Sequence, residues 1–363
     1  MAQNDFLLTF SGELSKEKVA GLETAMSADT IYTVDFAEVT DINFAALRAI
    51  LNCRKSGKRF IIINACDKVA EKFEDTGVSS FVNICRKPKP LDMSKYQEFG
   101  ASFMSTAYKS LDGDSMIKCY GSRVSKAAAA QEKAVARAVL QFGINTPLVG
   151  TLYEDGQTTA IDFERIEGKR SLSRIISEEP ERMEEITTLF AKMCKELHST
   201  PCDTTIFNDK KSIYRFITTQ CAELNDEEKA RILAFIDTIP DATTCLHGDM
   251  QPSNVITTGE ETMWIDLSDF GYGYPLMDLG MLYFLTNLTP EDHMVNLFHL
   301  SKAKTRELWE IFVREYFDAR TPEQLAAAER ELLPYTALHM LYLGTSFGFE
   351  PFMMPVIKGI LLR

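Results

Sequence analysis

LHGDMQPSNVI, residues 246–256, is the stretch on which the reading of this chain turns. Phosphoryl transfer from a nucleotide needs a carboxylate to take the incoming hydroxyl's proton, and oxygen ligands for a divalent cation that neutralises the triphosphate. A loop of the form H-G-D-x-x-x-x-N supplies both, with Asp249 as candidate base and Asn254 as candidate metal ligand through its amide oxygen. Farther on, ETMWIDLSDFG (261–271) places two aspartates after an apolar strand-like run. A metal ligand is best held at the end of a rigid element. Asp266, directly after TMWI, is therefore the second candidate ligand. Asp269 lies three residues deeper, in a glycine- and tyrosine-rich loop where its geometry is expected to be less fixed.

Working upstream, SMIKCY puts Lys118 inside an apolar strand, where a charge needs a partner or a ligand. The bland alternative is an edge-strand lysine facing solvent. Glu132, in the helical AAAAQEKAVARAV, has the same open choice between a partner and a solvated helix face. EFGASFMSTAY offers a small-residue turn, with Gly100 and the hydroxyls of Ser102 and Ser105 able to cover phosphates.

A seam runs through RKPKPLDMSKY (86–96), where Pro88 and Pro90 disfavour helix and suit an extended linker over 87–93. Before it, strand signals at 6–10, 30–36, 60–65 and 81–84 alternate with helix signals at 44–57 and 68–75, an α/β pattern over 1–86. After it, hairpin strands surround the turn Asp112-Gly113-Asp114, a helix covers 124–143, and a strand spans 158–168. Helices dominate from 169 to 363, apart from a hairpin over 255–266. The expected organisation is a β-rich lobe with one helix over 94–168 and a mostly helical lobe over 169–363.

From residue 94 onward the chain resembles the aminoglycoside phosphotransferase and choline kinase group, which has the bilobal α+β protein-kinase-like fold. The resemblance rests on the H-G-D-x-x-x-x-N loop, the hairpin, "WID" and the later GYPLMDLG, all in family order. It implies a base at Asp249, magnesium at Asn254 and Asp266, and phosphate binding by Lys118 paired with Glu132. It also implies adenine recognition by backbone around Phe163, Glu164 and Arg165, and structural support from His247 and Asp278. His198 is expected to be a structural contact or helix cap. The literal D-F-G of protein kinases at Asp269–Gly271 is then a coincidence. Gly248 stands where many protein kinases carry an arginine that reads a phosphorylated loop. That replacement favours a small-molecule acceptor.

The first 86 residues resemble the STAS domain of anti-sigma factor antagonists. The signature positions read Asn43, Phe44, Ala45 and Ala46, and the phosphoacceptor hydroxyl would fall at Ala45, which has none. The resemblance therefore implies a docking or self-association surface rather than a phosphorylation switch.

Bulk properties narrow the classes. Hydrophobic residues at 45% and charged residues at 25% suit a compact globular chain rather than a disordered one. A net charge of −13 argues against a nucleic-acid surface. Eight cysteines without a C-x-x-C pair argue for free thiols. MAQNDFLLTFSGEL lacks the basic and apolar regions of a secretory leader, and no apolar run approaches membrane length. The expectation is a cytoplasmic phosphotransferase using ATP or GTP with Mg2+ on a small-molecule hydroxyl. Two alternatives stay open: a nucleotide-sensing regulatory or scaffold protein that docks a partner, and a protein kinase. Glu291 and Asp292 could favour a cationic acceptor, or simply start a solvated helix.

Overall fold

The computed structural model describes residues 7–26, 31–101, 105–111, 113–121, 124–204, 206–291, 295 and 300–362. Ser102, Asp112 and Asp292 lie outside these residues. The chain forms two compact units, Met1–Ile166 and Glu167–Arg363.

The first unit contains two sheets. Strands β1 (Leu7–Leu14), β2 (Ile31–Ile42), β3 (Arg59–Ala65) and β4 (Asn83–Arg86) form a parallel sheet in that order. Short helical turns α1 (Lys16–Val19) and α2 (Leu22–Ala25) link the first two strands, followed by α3 (Phe44–Lys55) and α4 (Asp67–Asp75). Parallel strands need such crossovers. The strand expected at 81–84 begins two residues later. The amides of Phe81 and Val82 both donate to the Val78 carbonyl, which keeps the chain in a turn up to that point. At the start of α3, Asn43 caps the helix by accepting from the Ala46 amide at 2.9 Å.

The second sheet has six strands in the order β5-β9-β10-β8-β7-β6. They are β5 (Lys89–Pro90), β6 (Tyr96–Ala101), β7 (Ser105–Ser110), β8 (Ser115–Tyr120), β9 (Val149–Glu154) and β10 (Thr159–Glu164). The stretch expected as an extended linker is extended and pairs with the sheet. Lys89 and Pro90 pair in parallel with Tyr153 and Glu154, and the Leu91 amide donates to the Glu154 carbonyl. Proline tolerates this sheet-edge position because it has no N–H to leave unpaired. Helix α5 (Lys126–Leu140) follows β8, with Ser125 capping it through the Ala128 amide at 3.1 Å.

In the second unit, helices Met183–Ser199 and Lys302–Phe317 pack through Phe190 and Phe312, whose rings lie 5.6 Å apart. Helix Leu276–Tyr283 crosses Pro322–Phe347 at Gly280, where any Cβ would stand 2.7 Å from the Tyr335 carbonyl carbon. Two three-stranded sheets complete the frame. Thr244–Leu246 lies against Gly271–Gly273, and Val255–Thr257 against Thr262–Trp264. Among the described residues no helix is long and apolar enough to cross a membrane.

Candidate active site

These small sheets fix the loops that carry the sequence motif. Strand Thr244–Leu246 delivers the chain into His247–Asn254, and the hairpin returns it to Asp266. The Val255↔Trp264 pairing and the Ile265 amide, which donates to the Asn254 carbonyl at 2.9 Å, hold Asn254 beside the approach to Asp266. Asn254 also donates through Nδ2 to Asp249 Oδ2 at 2.8 Å and to the Asp249 carbonyl at 2.9 Å. With its nitrogen so occupied, the amide oxygen of Asn254 is turned away from Asp249. Gln251 Nε2 donates to both oxygens of Asp249, at 2.9 and 2.8 Å. Burial drives the Asp249 carboxyl up to about 7, and the charge of Asp266 adds to the effect against the hydrogen bonds from Asn254 and Gln251.

Asp278 clamps this loop from beneath. Its Oδ2 accepts from the His247 amide at 2.6 Å and its Oδ1 from the Gly248 amide at 2.8 Å. His198 Nε2 donates to Oδ2 at 3.3 Å, and the Tyr316 hydroxyl is hydrogen-bonded to His198 Nδ1 at 2.7 Å. Burial alone would raise the Asp278 carboxyl. The His198 hydrogen bond and the positive groups nearby outweigh it and hold the carboxyl below its ordinary value. His247 itself donates from Nε2 to the Ile265 carbonyl at 3.0 Å and accepts the Asp249 amide at Nδ1, 3.3 Å away. Only the neutral ring can do both, in keeping with its burial-lowered pKa.

Asp266 adopts φ +59°, ψ 58°, the left-handed region that a non-glycine residue enters at a cost. Asp269 differs from the sequence expectation. It closes a 3-10 turn, Leu267–Asp269, and its Oδ1 accepts from the Tyr342 hydroxyl at 2.7 Å, so its position is fixed rather than loose. The fixing group comes from a distant helix. Lys210 is missing from the sequence reading altogether. It is 5% exposed, its ammonium sits 5.9 Å from the Tyr342 ring centre, and it lies 2.5 Å from where a Gly248 side chain would begin. The same Cβ would stand 2.1 Å from the Asp269 carbonyl oxygen, and Gly248 has φ +85°. Gly248→Ala is therefore expected to cost about 1–3 kcal/mol in a urea titration and to slow turnover, because loop or lysine must give way.

In the first unit, Lys118 lies on β8, between β7 and β10, so it is not on a sheet edge. Its Nζ meets Glu132 Oε1 of α5 at 2.9 Å, with the Glu132 carboxylate almost fully buried. Gly100 sits at a register shift in β6 with open space where a side chain would go. Ser102 is outside the described residues, and Ser105 opens β7. The segment expected to meet adenine is more committed than the sequence suggests. Phe163 packs into the core beside α5, while the amides of Glu164 and Arg165 already donate to the carbonyls of Leu148 and Asp114, each at 2.8 Å. Arg165 also donates to the Ser110 carbonyl at 3.1 Å.

The donor set suits magnesium. Among the described residues no group of three or more His, Cys, Asp or Glu side chains forms a metal cage of its own. Magnesium is ordinarily held by one or two carboxylates together with substrate phosphates and water. Burial raises the Asp249 pKa and the nearby charge of Asp266 reinforces the rise, so two carboxylates stand close together there. Asp266 and the amide oxygen of Asn254 are hard oxygen donors of the kind magnesium takes.

A six-stranded sheet with a single helix, joined in sequence to a helical unit carrying this loop, defines a kinase-like chain. The family model for the phosphotransferase enzyme family (APH) matches residues 105–310, more than half of the chain, and the chain belongs to that family. A comparison with curated proteins finds no match. Among solved structures, a thermostable mutant of aminoglycoside phosphotransferase APH(4)-Ia with ADP and hygromycin B is 14% identical, with a TM-score of 0.51 over 74% of this chain and 94% of that one. A thermostable mutant of the same enzyme with AMP-PNP and hygromycin B gives 14% identity and 0.52 over 74% and 94%. APH(4)-Ia itself gives 15% identity and 0.50 over 74% and 93%. At such identities the likeness establishes the fold alone.

Proposed function

We propose that this chain is an ATP- and magnesium-dependent phosphotransferase acting on a hydroxyl of a small molecule. The observation that carries the reading is Asp249: half-buried, raised to about 7, and tied at 2.8 Å to Asn254. A base works best when its pKa lies near the operating pH. Asp249 takes the proton of the acceptor hydroxyl as that oxygen bonds to the γ-phosphorus and the bond to the ADP oxygen breaks. Gln251 and Asn254 keep the carboxylate oriented. Asp266 and the Asn254 amide oxygen would hold magnesium, which neutralises phosphate charge when bound. Lys118, steadied by Glu132, is assigned to the nucleotide phosphates, and preorganised charge supplies most of the rate.

Family membership supports phosphoryl transfer, and the ADP and AMP-PNP in the structural relatives support an adenine nucleotide as donor. Hygromycin B is not carried over, because an acceptor is set by the site and not by the fold. Turnover of ATP over a panel of amino alcohols, amino sugars and polyols tests the reading. Product from at least one small alcohol is expected, and label appearing only in protein would overturn it. Asp266→Ala is expected to abolish the magnesium-dependent part of ATP affinity in calorimetry. Tight binding retained with magnesium would remove Asp266 from the ligand set.

The STAS-like reading of the N-terminal domain is part of the same proposal. Parallel strand order and the Asn43 cap at the signature turn support it, and Phe44, 73% exposed beside Ala45, suits a contact surface better than a phosphate acceptor.

A further inference from the structure

Strand β3 has no exposed residue. Its side chains alternate between two different cores, as strand geometry requires. Phe60 and Ile62 join the core formed with the N-terminal domain's own helices. Ile61 and Ile63 point the other way, into a core shared with Ala129, Ala130 and Ala134 of α5. Cys85 of β4 joins that second core, and its thiol donates to the Ala130 carbonyl at 3.7 Å. Tyr120, Leu152 and Ile161 of the six-stranded sheet complete it. Helix α5 is thus held between two sheets, and its alanines let both approach closely. This helix carries Glu132, the partner of Lys118.

We propose that Ile61, Ile63 and Cys85 are positioning residues for the Lys118–Glu132 pair, so that the N-terminal domain is a working wall of the nucleotide-binding half rather than an attached module. The consequence for affinity rests on the function proposed above. If α5 is displaced in a fraction of molecules, only the remainder presents the lysine correctly, and apparent nucleotide affinity falls by that fraction. Turnover at saturating nucleotide is unaffected, because bound molecules are already in the competent arrangement.

The test uses matched truncations on the two faces of one strand in the full-length chain. Ile63→Ala opens a hole against α5, whereas Ile62→Ala opens one of equal size against the domain's own helices. Both lower the melting temperature. Ile63→Ala is expected to weaken Mg-ATP binding about 5- to 20-fold with kcat within about threefold, Ile62→Ala to leave affinity within about twofold, and Ile63→Val to restore it. Equal affinity losses in the two alanine variants would overturn the proposal. Hydrogen exchange at α5 amides, measured without nucleotide, gives a second readout. Faster exchange over 126–140 in Ile63→Ala alone supports the positioning role, and unchanged or equal exchange overturns it. Lys118→Ala separates the two ideas. If that variant binds Mg-ATP as the parent does, or if the parent does not bind, the nucleotide assignment fails, and the exchange result still decides whether the N-terminal sheet positions the helix.

Discussion

Asp249→Asn is expected to lower kcat by about 10²- to 10⁴-fold, the usual contribution of a positioned base, while leaving Mg-ATP affinity within a few-fold of the parent. Steady-state turnover and calorimetry on the same preparation measure the two quantities. The substitution should also stabilise the protein at alkaline pH. Asp249 has its folded-state pKa raised from 3.8 to about 7 by burial and by Asp266, so the folded chain prefers it protonated. Its contribution to stability is fully present below about pH 4 and is lost as pH rises through 7. Asparagine cannot ionise and does not incur that loss. The variant should therefore melt above the parent at pH 8, with the difference closing toward pH 4. In the parent, transfer from Mg-ATP should rise with pH as the carboxyl deprotonates, with its midpoint below the metal-free value of about 7 because bound magnesium would add positive charge nearby. A variant that keeps full turnover, or melts lower at pH 8, would take the base role away from Asp249.

The parts of the site that lie close together along the chain were legible. The five-residue step from Asp249 to Asn254 and the strand leading to Asp266 are local patterns, and backbone pairing turns them directly into proximity. Lys118 and Glu132 were open to a solvent-facing reading from the residues alone, and it is the family resemblance that pairs them; in the structure they meet at 2.9 Å. What escaped notice comes from residues with no local signal. Tyr342 reaches Asp269 across 73 positions, and Lys210 fills the space that Gly248 vacates from a helix start in an ordinary polar segment. Sequence periodicity marks the faces of elements but not which face meets which. The same limit applies to α5. Its alanine run reads as helix-forming strength, whereas the structure uses those small side chains for close approach on two sides. Gln251 stood inside the quoted motif as an unassigned position. Its two hydrogen bonds to Asp249 depend on a rotamer that no spacing rule predicts.

Asp278→Ala is expected to have the largest effect on stability, about 3–5 kcal/mol in urea unfolding, as when one member of a buried charged hydrogen-bonded group is removed. The residue is 2% exposed and holds the amides of His247 and Gly248 together with His198 Nε2. Truncation leaves these donors buried without an acceptor, at about 1–3 kcal/mol for each group left unsatisfied. The sign of its pH dependence is opposite to that of Asp249. The folded-state pKa of Asp278 lies below 3.8, so its contribution is present above that value and is lost as pH falls through the lower folded-state pKa. The deficit of Asp278→Ala should therefore be full at pH 7 and shrink in strong acid, where the parent also loses the charge. Turnover should fall with stability, because the peptide that carries Asp249 hangs from the two amides that Asp278 holds. Asp278→Asn separates support from charge. Its oxygen can still accept from the Gly248 amide, but its NH2 group then faces the His247 amide as a second donor. An intermediate loss of stability is expected, with faster hydrogen exchange at His247 than at Gly248. Equal exchange at both amides would show that the clamp acts through its negative charge and not through its two directed hydrogen bonds.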